Sequence, residues 1–356
     1  MRPGDMHDEN DMVQQFRTWI GGRTGISPLY DEIVAGMIQD DEMLSLLAQI
    51  SQIPYVCNRF MAAVHFLLLE RDNSPLSQFY VTTGAPARSS KGVYDIFRLF
   101  CLSNSKLILM LSRSAEVQIN EVRRSAAFVF ALNSVRSVAG GTPTALIELG
   151  ACAGLNLNLD RYQYDFGAGA VGPAQAGLVI PCEVRNRAAP PTIVIPQVVL
   201  REGIDVSPVD IGTAQGRNWL IAFASPDDHR RQMFLQQAME ICLRAPVSVR
   251  RGSAGELIGS VLASVAEGVE ACVLHALTEH HFGALERAQV RRDLMEASHR
   301  RDVHVIGLEW PRTRGVVDMA RELELTLTVY RQGKARRHLL AISDRRGAVD
   351  WLRPTG

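Results

Sequence analysis

The stretch from residue 144 to 159, TALIELGACAGLNLNL, has the residue types and spacing of a turn that binds a cofactor. An apolar run ends in the acid Glu148, small residues follow with Gly150 and Gly154 four apart, and a Leu-rich run comes next. A ligand can approach the backbone closely only where side chains are small. A helix beginning in the Leu-rich run would present free N–H groups and a positive dipole end to a carboxylate or phosphate. The pattern therefore predicts a strand, a turn and a helix that together hold a cofactor.

This stretch resembles the first motif of class I S-adenosylmethionine-dependent methyltransferases, in which an acidic strand end precedes a glycine-rich loop. The resemblance implies S-adenosylmethionine as cofactor, with Glu148, Gly150 and Gly154 carrying the motif. It also implies that Ala151 lies close to the methionine part of the cofactor. Cys152 departs from the pattern, because many such enzymes have a middle glycine there, and it also occupies the second glycine of the dinucleotide motif G-x-G-x-x-G.

The alternative interpretation is a glycine-rich turn that binds no ligand. Replacing Gly150 or Gly154 by Trp is expected to separate the two interpretations, because a large side chain would block the approach of a ligand to the backbone. On this reasoning, the Trp variants lose cofactor binding and still fold.

Three later segments carry polar residues where the same plan would use them. Asp205 closes a predicted strand and is expected to accept hydrogen bonds from the ribose hydroxyls, although a solvent-facing turn aspartate is the alternative. Ser253 follows the next strand, where methyltransferases often have an acid that binds the adenine amino group, and Glu256 is a weaker substitute. His275 ends the strand after that, as a candidate base or hydrogen-bonding partner of the cofactor.

A metal site made of His275, Glu279 and His280 is conceivable but has no support from the spacing. Neither an H-E-x-x-H motif nor a Cys/His spacing typical of metal ligands is present. We expect no metal, and we expect Glu279, His280 and His281 to begin a solvated helix.

The elements that must position these residues fall into two regions. Residues 1–140 predict a mainly helical N-terminal region, because apolar residues recur at spacings of three and four, and a long helix is predicted from 115 to 138. Residues 141–356 predict an α/β domain in which β-rich runs alternate with helical ones, typical of a parallel sheet flanked by helices. The resemblance implies a Rossmann-like, class I methyltransferase sheet. The predicted runs are 145–149, 198–206, 247–250, 271–274 and 303–308, then a terminal hairpin of 323–330 and 336–343, with a Gly- and Pro-rich insertion at 166–196.

Composition excludes several classes of partner. The 38 Lys and Arg balance 38 Asp and Glu, so no long-range field would attract nucleic acid or an anionic membrane, and a small-molecule substrate is expected. No apolar run reaches the ~20 residues that span a bilayer, and the polar N-terminus does not resemble a signal peptide. Six cysteines without a C-x-x-C pair fit a reducing compartment. We therefore expect a cytoplasmic protein.

Several stretches together resemble a bacterial family of unknown function with a methyltransferase-like core. They are residues 118–127, 148–157, 160–164 and 201–210, with Trp219. The azetidine-2-carboxylate synthases are similar in general plan, with a helical N-terminal cover over a methyltransferase-like domain. Those enzymes use S-adenosylmethionine itself as substrate, and its own amino group displaces methylthioadenosine. On this resemblance Tyr162 and Tyr164 can supply an aromatic face for the sulfonium, or they can be ordinary packing residues.

Glu121 and Arg124 are three residues apart on one face of the predicted helix. They can form a surface ion pair of little energetic weight. If the helix covers the cofactor site instead, Arg124 can hold a carboxylate and Glu121 an amine or a proton.

Three functions remain open at this point. The first is methyl transfer to a small-molecule acceptor, with Asn156, His275 or Glu121 orienting or deprotonating the acceptor. The second is intramolecular cyclisation of S-adenosylmethionine to azetidine-2-carboxylate. The third is a non-catalytic domain that senses the nucleoside.

Overall fold

A computed structural model describes residues 14–19, 27–71, 74–86, 88–114, 116–135, 140–167, 169–185, 193–311, 322–344 and 348–352. The chain divides into two compact units. The first comprises residues 1–120 and 210–235, and the second comprises residues 121–209 and 236–356. These bounds differ from the predicted division at residue 140. The first boundary lies at residue 120, and residues 210–235 also belong to the first unit.

The helices and strands alternate in the second half of the chain, as predicted. The α-helices are α1 (Pro28–Met37), α2 (Asp41–Ala48), α3 (Val56–Glu70), α4 (Val93–Ser103), α5 (Ser105–Ser114), α6 (Arg124–Leu132), α7 (Ala214–Ala222), α8 (His229–Arg244), α9 (Ala254–Ser264) and α10 (Ala284–Ala297). The strands are β1 (Thr144–Leu149), β2 (Gln163–Asp165), β3 (Ala170–Val171), β4 (Val179–Pro181), β5 (Val198–Asp205), β6 (Ser248–Arg251), β7 (Glu270–Ala276), β8 (Val303–Glu309), β9 (Glu322–Arg331), β10 (Lys334–Asp344) and β11 (Val349–Trp351). Short 3₁₀ helices lie at Pro75–Phe79, Val81–Thr83, Leu155–Arg161 and Glu279–His281.

The first unit is helical in its described residues. Helix α3 packs against α5 and α7 and is buried along most of its length. Within it His65 is fully buried between the Ala222 carbonyl (3.2 Å) and the Thr82 hydroxyl (2.6 Å). Burial disfavours the charged imidazole and lowers the pKa of His65 to about 3. His65 is therefore a neutral structural residue of this unit. None of the helices in the described part of the chain has both the length and the apolar character needed to cross a membrane.

The second unit is built on an eight-stranded sheet in the order β11-β10-β9-β8-β7-β1-β5-β6. Strands β6, β5, β1, β7 and β8 are parallel neighbours, and β9, β10 and β11 extend the sheet in antiparallel fashion. From β1 the chain adds β5 and β6 on one side, then crosses to add β7 and β8 on the other. The order therefore reverses beside β1, and open α/β sheets bind ligands at such a switch point, outside the carboxyl ends of the strands.

Helices cover both faces of this sheet. One face packs against α9 and α10 in a core that includes Ile147, Ile258 and Val273. On the other face α6 packs against β8, β9 and the 3₁₀ helix Leu155–Arg161. The predicted α/β architecture with a largely parallel sheet between helices is thus confirmed at this level.

The predicted helix from 115 to 138 is wrong in its first part. Residues 116–121 have no regular structure, and α6 begins only at Arg124 and ends at Leu132. Buried Gln118 and Glu121 alternate there with half-exposed Val117 and Ile119, and this pattern does not give a helix one apolar face. The predicted ends at 115 and 136–138 lie outside the described residues.

Two other local predictions are confirmed. The Gly- and Pro-rich insertion contains a little β structure, because β3 and β4 join β2 in a small sheet of order β3-β2-β4. The terminal hairpin is present as β9 and β10, which turn at Gln332 (φ 48°) and Gly333 (φ 72°). Two successive left-handed residues are typical of the tight turns that match the twist of a hairpin.

Candidate functional site at the carboxyl end of the sheet

The loop after β1 contains three residues with left-handed backbone. They are Gly150 (φ 69°), Cys152 (φ 54°) and Gly154 (φ 73°). Cys152 stands where the resemblance led us to expect a glycine, and its backbone takes the conformation that favours glycine. A left-handed residue with a side chain costs about 1–2 kcal/mol, so other contacts must hold it in place.

Those contacts come from β5. The N–H groups of Gly150 and Ala151 donate to the Ile204 carbonyl (2.9 and 3.2 Å), and the N–H of Cys152 donates to Asp205 Oδ2 (2.8 Å). The N–H of Gly154 donates to the Ala151 carbonyl at 2.7 Å. These four backbone donors are therefore engaged within the protein, which leaves the loop poorly suited to hold a phosphate.

The segment after Gly154 is not the predicted α-helix. It is a seven-residue 3₁₀ helix, Leu155–Arg161, with a break at Asn158. The sequence LNLNLD alternates apolar and polar residues with a period of two, and no α-helix buries such a pattern on one face. Asn side chains also compete for backbone groups and disfavour helix interiors. The prediction that an α-helix directs its positive dipole end at this loop is therefore wrong.

Glu148 is a strongly perturbed group at this end of the sheet. It is 3% exposed, and its Oε1 accepts a hydrogen bond from Asn156 Nδ2 at 2.7 Å. Its Oε2 and the Oδ1 of Asn156 are both buried without a hydrogen-bond partner in the described part of the chain. Burial raises the pKa of Glu148 to about 8, and the negative charge of Asp205 adds to this, against the opposing effects of Asn156 and Arg124. Glu148 is therefore largely protonated at neutral pH.

Asp205 lies on the same face of the sheet as Glu148. Side chains alternate along a strand, and Leu149 and Ile204, the neighbours of these two acids, both belong to the core under α9 and α10. Asp205 accepts from Cys152 N through Oδ2 and from Ser207 N (2.7 Å) through Oδ1. Its predicted place at the end of the strand is as expected, and it holds the β1 loop as well as its own turn.

Arg124, at the start of α6, belongs to the same group of charges. It is 8% exposed, and its positive charge lowers the pKa of Glu148. The structure thus brings four of the predicted residues together: Glu148, Asn156, Asp205 and Arg124.

Neighbouring protein atoms leave no space for a side chain at Gly150 or Gly154. A Cβ on Gly150 would lie 2.5 Å from Thr278 Oγ1, and a Cβ on Gly154 would lie 2.4 Å from Val247 Cγ2. Any side chain at these positions meets both a clash and an unfavourable backbone, which argues against the expectation that Gly150→Trp or Gly154→Trp leaves a folded protein.

Gly154→Ala is expected to lower the free energy of unfolding by about 2 kcal/mol, from its positive φ and from the contact with Val247. Combining it with Val247→Ala removes the contact but not the backbone strain. The double variant should therefore be more stable than the sum of the two single changes predicts, as measured by urea unfolding. Additive effects would show that the Val247 contact is not the cause.

Ser253 and Glu256 serve the start of α9. Glu256 accepts from Ser253 N at 3.1 Å in a capping box, and the hydrogen bonds from Ser253 lower the pKa of Glu256. Their predicted contact with adenine remains a prediction, and the structure supplies another reason for both residue types.

His275 lies on the other face of the sheet from Glu148, since it shares the side of Val273. Its Nδ1 lies 2.7 Å from Oε1 of Glu309, which ends β8. The structure therefore does not bring His275 together with Glu148. Sequence reasoning missed Glu309, although an acid at the end of a strand is the same signal that singled out Glu148 and Asp205.

The remaining candidates are held by other contacts. Glu121 is not on the helix with Arg124, and it forms a buried two-point ion pair with Arg123 (Nε to Oε1 and Nη2 to Oε2, both 2.7 Å). Tyr162 and Tyr164 are fully buried and donate to the carbonyls of Leu155 (2.5 Å) and Leu159 (2.7 Å). This favours a packing role for both tyrosines.

Glu279–His281 is a short 3₁₀ turn with both histidines exposed, close to the predicted solvated helix start. Within the described ranges, no group of three His, Cys, Asp or Glu residues is arranged to hold a metal ion. Two open surface hollows are lined by residues other than the predicted site residues. One lies beside Ser77, Gly84 and Arg88, and the other beside Arg161, Gly177 and Arg244.

Comparison with known proteins places the chain in a family. No curated protein matches it. One family model, described as "uncharacterized protein conserved in bacteria" (DUF2332), matches residues 15–351, which include parts of both compact units. This agrees with the resemblance to a bacterial family of unknown function. The chain belongs to the bacterial family DUF2332.

Proposed function

We propose that the chain binds S-adenosylmethionine at the end of β1 and transfers its methyl group to a small-molecule acceptor. The observation that supports this is a set of buried side-chain oxygens, two of them without a hydrogen-bond partner in the described chain, at the switch point of the sheet. Glu148 Oε2 and Asn156 Oδ1 have no partner in the described chain, and Asp205 lies beside them. An amide oxygen accepts hydrogen bonds, and so does the Glu148 carboxylate when a cation stabilises its ionised form, so the site favours a positively charged ligand that brings donors.

S-adenosylmethionine offers the matching groups. Its ammonium group can pair with Glu148, which removes the penalty that burial places on the ionised carboxylate. Its ribose hydroxyls can donate to the lone pairs of Asp205 that the backbone N–H groups leave over. Its carboxylate can pair with Arg124, whose guanidinium group carries a fixed positive charge.

A dinucleotide fits this site less well. Its diphosphate needs backbone N–H donors at a helix N-terminus, and four N–H groups of the loop are already bonded to Ile204, Asp205 and Ala151. The charge at the site is also unfavourable for phosphate, because Glu148 and Asp205 are both acids.

When bound, the sulfonium supplies an electrophilic methyl group. The residues of the chain then have to hold the acceptor in line and exclude water, which accounts for most of the rate in such reactions. Asn156 is the best-placed candidate to orient the acceptor, since it contacts Glu148 and keeps a buried amide oxygen. Glu121 and His275 are less suitable, because Glu121 is ion-paired with Arg123 and His275 is hydrogen-bonded to Glu309.

The test is equilibrium binding followed by product analysis. The purified full chain is titrated with S-adenosylmethionine, with NAD and AMP as phosphate-bearing controls, and the incubated mixture is analysed by mass spectrometry. We expect binding of S-adenosylmethionine at micromolar concentration, weaker binding of both controls, and S-adenosylhomocysteine when an acceptor from a panel of small amines and alcohols is supplied.

Other outcomes contradict the proposal in distinct ways. Methylthioadenosine and azetidine-2-carboxylate formed without an acceptor would replace methyl transfer by cyclisation. Binding without turnover against every acceptor would favour a nucleoside sensor. Failure to bind S-adenosylmethionine would remove the proposed function.

A further inference from the structure

The turn that follows β7 is held by one oxygen of a single carboxylate. Glu309 Oε1 accepts from His275 Nδ1 at 2.7 Å, from Thr278 N at 2.9 Å and from Glu279 N at 3.0 Å. Burial disfavours the ionised carboxylate, but the hydrogen bond from His275, the nearby His280 and the backbone N–H of Glu279 outweigh it and hold the pKa of Glu309 well below its usual range. Since an ionised carboxylate only accepts, Nδ1 of His275 is the donor in this hydrogen bond.

His275 is itself fixed by the neighbouring strand. Gly307 is its register partner on β8, and a Cβ on Gly307 would lie 2.7 Å from the imidazole Cε1. The ring therefore occupies the space that a side chain at Gly307 would need. The contact with Gly307 and the hydrogen bond to Glu309 together fix the orientation of the imidazole.

The turn has a conformation that needs such support. Leu277 is left-handed (φ 52°), and its N–H donates to the Leu308 carbonyl at 2.9 Å. The next residue, Thr278, places its hydroxyl and methyl groups against Gly150, where an added Cβ would meet them at 2.5 and 2.7 Å. Thr278 therefore forms one wall of the loop that follows Glu148.

We infer that Glu309 and His275 are positioning residues for the ligand site, and that the Thr278 hydroxyl they fix beside Gly150 contacts the bound ligand. This inference rests on the proposed function for the identity of the ligand. The positioning itself is a property of the ligand-free chain. The hydroxyl donates to the Ala276 carbonyl at 3.2 Å and keeps acceptor lone pairs at the loop, which suit the O–H or N–H donors of a nucleoside.

The first experiment tests the positioning without a ligand. Hydrogen exchange is followed by mass spectrometry in peptides covering residues 277–281 and 148–154 of the full chain. Glu309→Ala removes the acceptor of two backbone amides, and we expect faster exchange in both peptides. Glu309→Gln keeps an oxygen in the place of Oε1 and is expected to exchange like the wild type. Unchanged exchange in Glu309→Ala would overturn the positioning role.

The second experiment tests the contact with the ligand, using S-adenosylmethionine as the probe. Thr278→Val keeps the shape and removes the hydroxyl, and we expect affinity about tenfold weaker, the effect of one lost hydrogen bond. Thr278→Ser should restore the affinity. A purely structural role would instead lower the melting temperature of Thr278→Val by several degrees and leave the affinity unchanged, and that result would overturn the contact.

Failure of the proposed function gives a different result. A wild-type chain that binds no S-adenosylmethionine would remove the proposed function and the contact of Thr278 with this ligand. The exchange comparison of Glu309→Ala with Glu309→Gln would still decide the positioning role.

Discussion

Glu148→Gln is expected to stabilise the chain strongly at alkaline pH and little at pH 5. The wild-type carboxyl is buried and has a pKa of about 8, against 4.5 for an exposed glutamate. The folded state therefore binds more protons than the unfolded state between these two values. Because stability falls with pH wherever the folded state binds more protons, the contribution of Glu148 is full below about pH 4.5 and is lost as the pH rises to 8. Gln is neutral throughout and keeps an oxygen for the bond from Asn156.

The size of this effect is large. Each pH unit between the two pKa values changes the free energy of unfolding by up to about 1.4 kcal/mol, so the whole window amounts to roughly 4–5 kcal/mol. The measurement is urea unfolding of wild type and Glu148→Gln at pH 5, 7 and 9, expressed as the difference between the two proteins. This difference should grow steadily in favour of Gln as the pH rises.

Glu256→Gln serves as the control, because hydrogen bonds from Ser253 lower the pKa of this exposed carboxyl. Its contribution is present above the unfolded pKa and is lost only in acid. The difference between this variant and the wild type should therefore stay constant from pH 7 to 9. A flat profile for Glu148→Gln over the same range would mean that Glu148 is not neutral in the folded chain.

Most strands of the large sheet were predictable from the sequence, because they are short β-rich runs between turn residues, and β1, β7 and β8 are also apolar and buried. The run at 198–206 identified β5 and placed Asp205 at its end, even though the insertion separates it widely from Glu148. The acid that ends β1 was equally clear. Strand ends at one edge of a parallel sheet lie together, so a reader of the sequence can bring Glu148 and Asp205 to one place.

Other features depend on contacts that a single sequence does not encode locally. The pair His275 and Glu309 exists because β7 and β8 are parallel neighbours in one register. The glycines at 150 and 154 suggested space for a ligand, whereas the space is occupied by Thr278 and Val247. Glycine marks a close approach, but the sequence does not say which atoms approach.

Two predictions failed for a related reason. They are the helix after Gly154 and the pairing of Glu121 with Arg124 on one helix. Leucine content favours a helix at 155–161, yet the alternation with Asn156 and Asn158 is incompatible with one apolar helical face. The sequence also favoured Arg124 as the partner of Glu121 on a helix, and the chain turns before the helix begins, so that Arg123 takes this place. In both cases the order of the residues along the chain, and not their average helix propensity, decides the local structure.

Asp205→Asn is expected to abolish useful affinity for S-adenosylmethionine, by about 100-fold or more, and to lower the free energy of unfolding by about 2 kcal/mol. Both carboxylate oxygens accept backbone N–H groups, from Cys152 and from Ser207. An amide has only one oxygen, so its NH₂ group must face one of these N–H groups, and a buried donor then loses its acceptor. The left-handed backbone of Cys152 loses its anchor, and the ribose hydroxyls lose a carboxylate.

Asp165→Asn is the matched control, since Asp165 also accepts a backbone N–H two residues on, from Gly167 at 2.8 Å, but is exposed. Its free energy of unfolding should change by no more than about 0.5 kcal/mol, with unaltered affinity for S-adenosylmethionine.

Cys152→Gly in the Asp205→Asn background separates the effect on stability from the effect on affinity, because glycine relaxes the strained loop without restoring the carboxylate. If this double variant recovers stability and still binds poorly, Asp205 acts on the ligand directly. If it recovers both, Asp205 acts only by holding the loop, and the ribose contact is wrong.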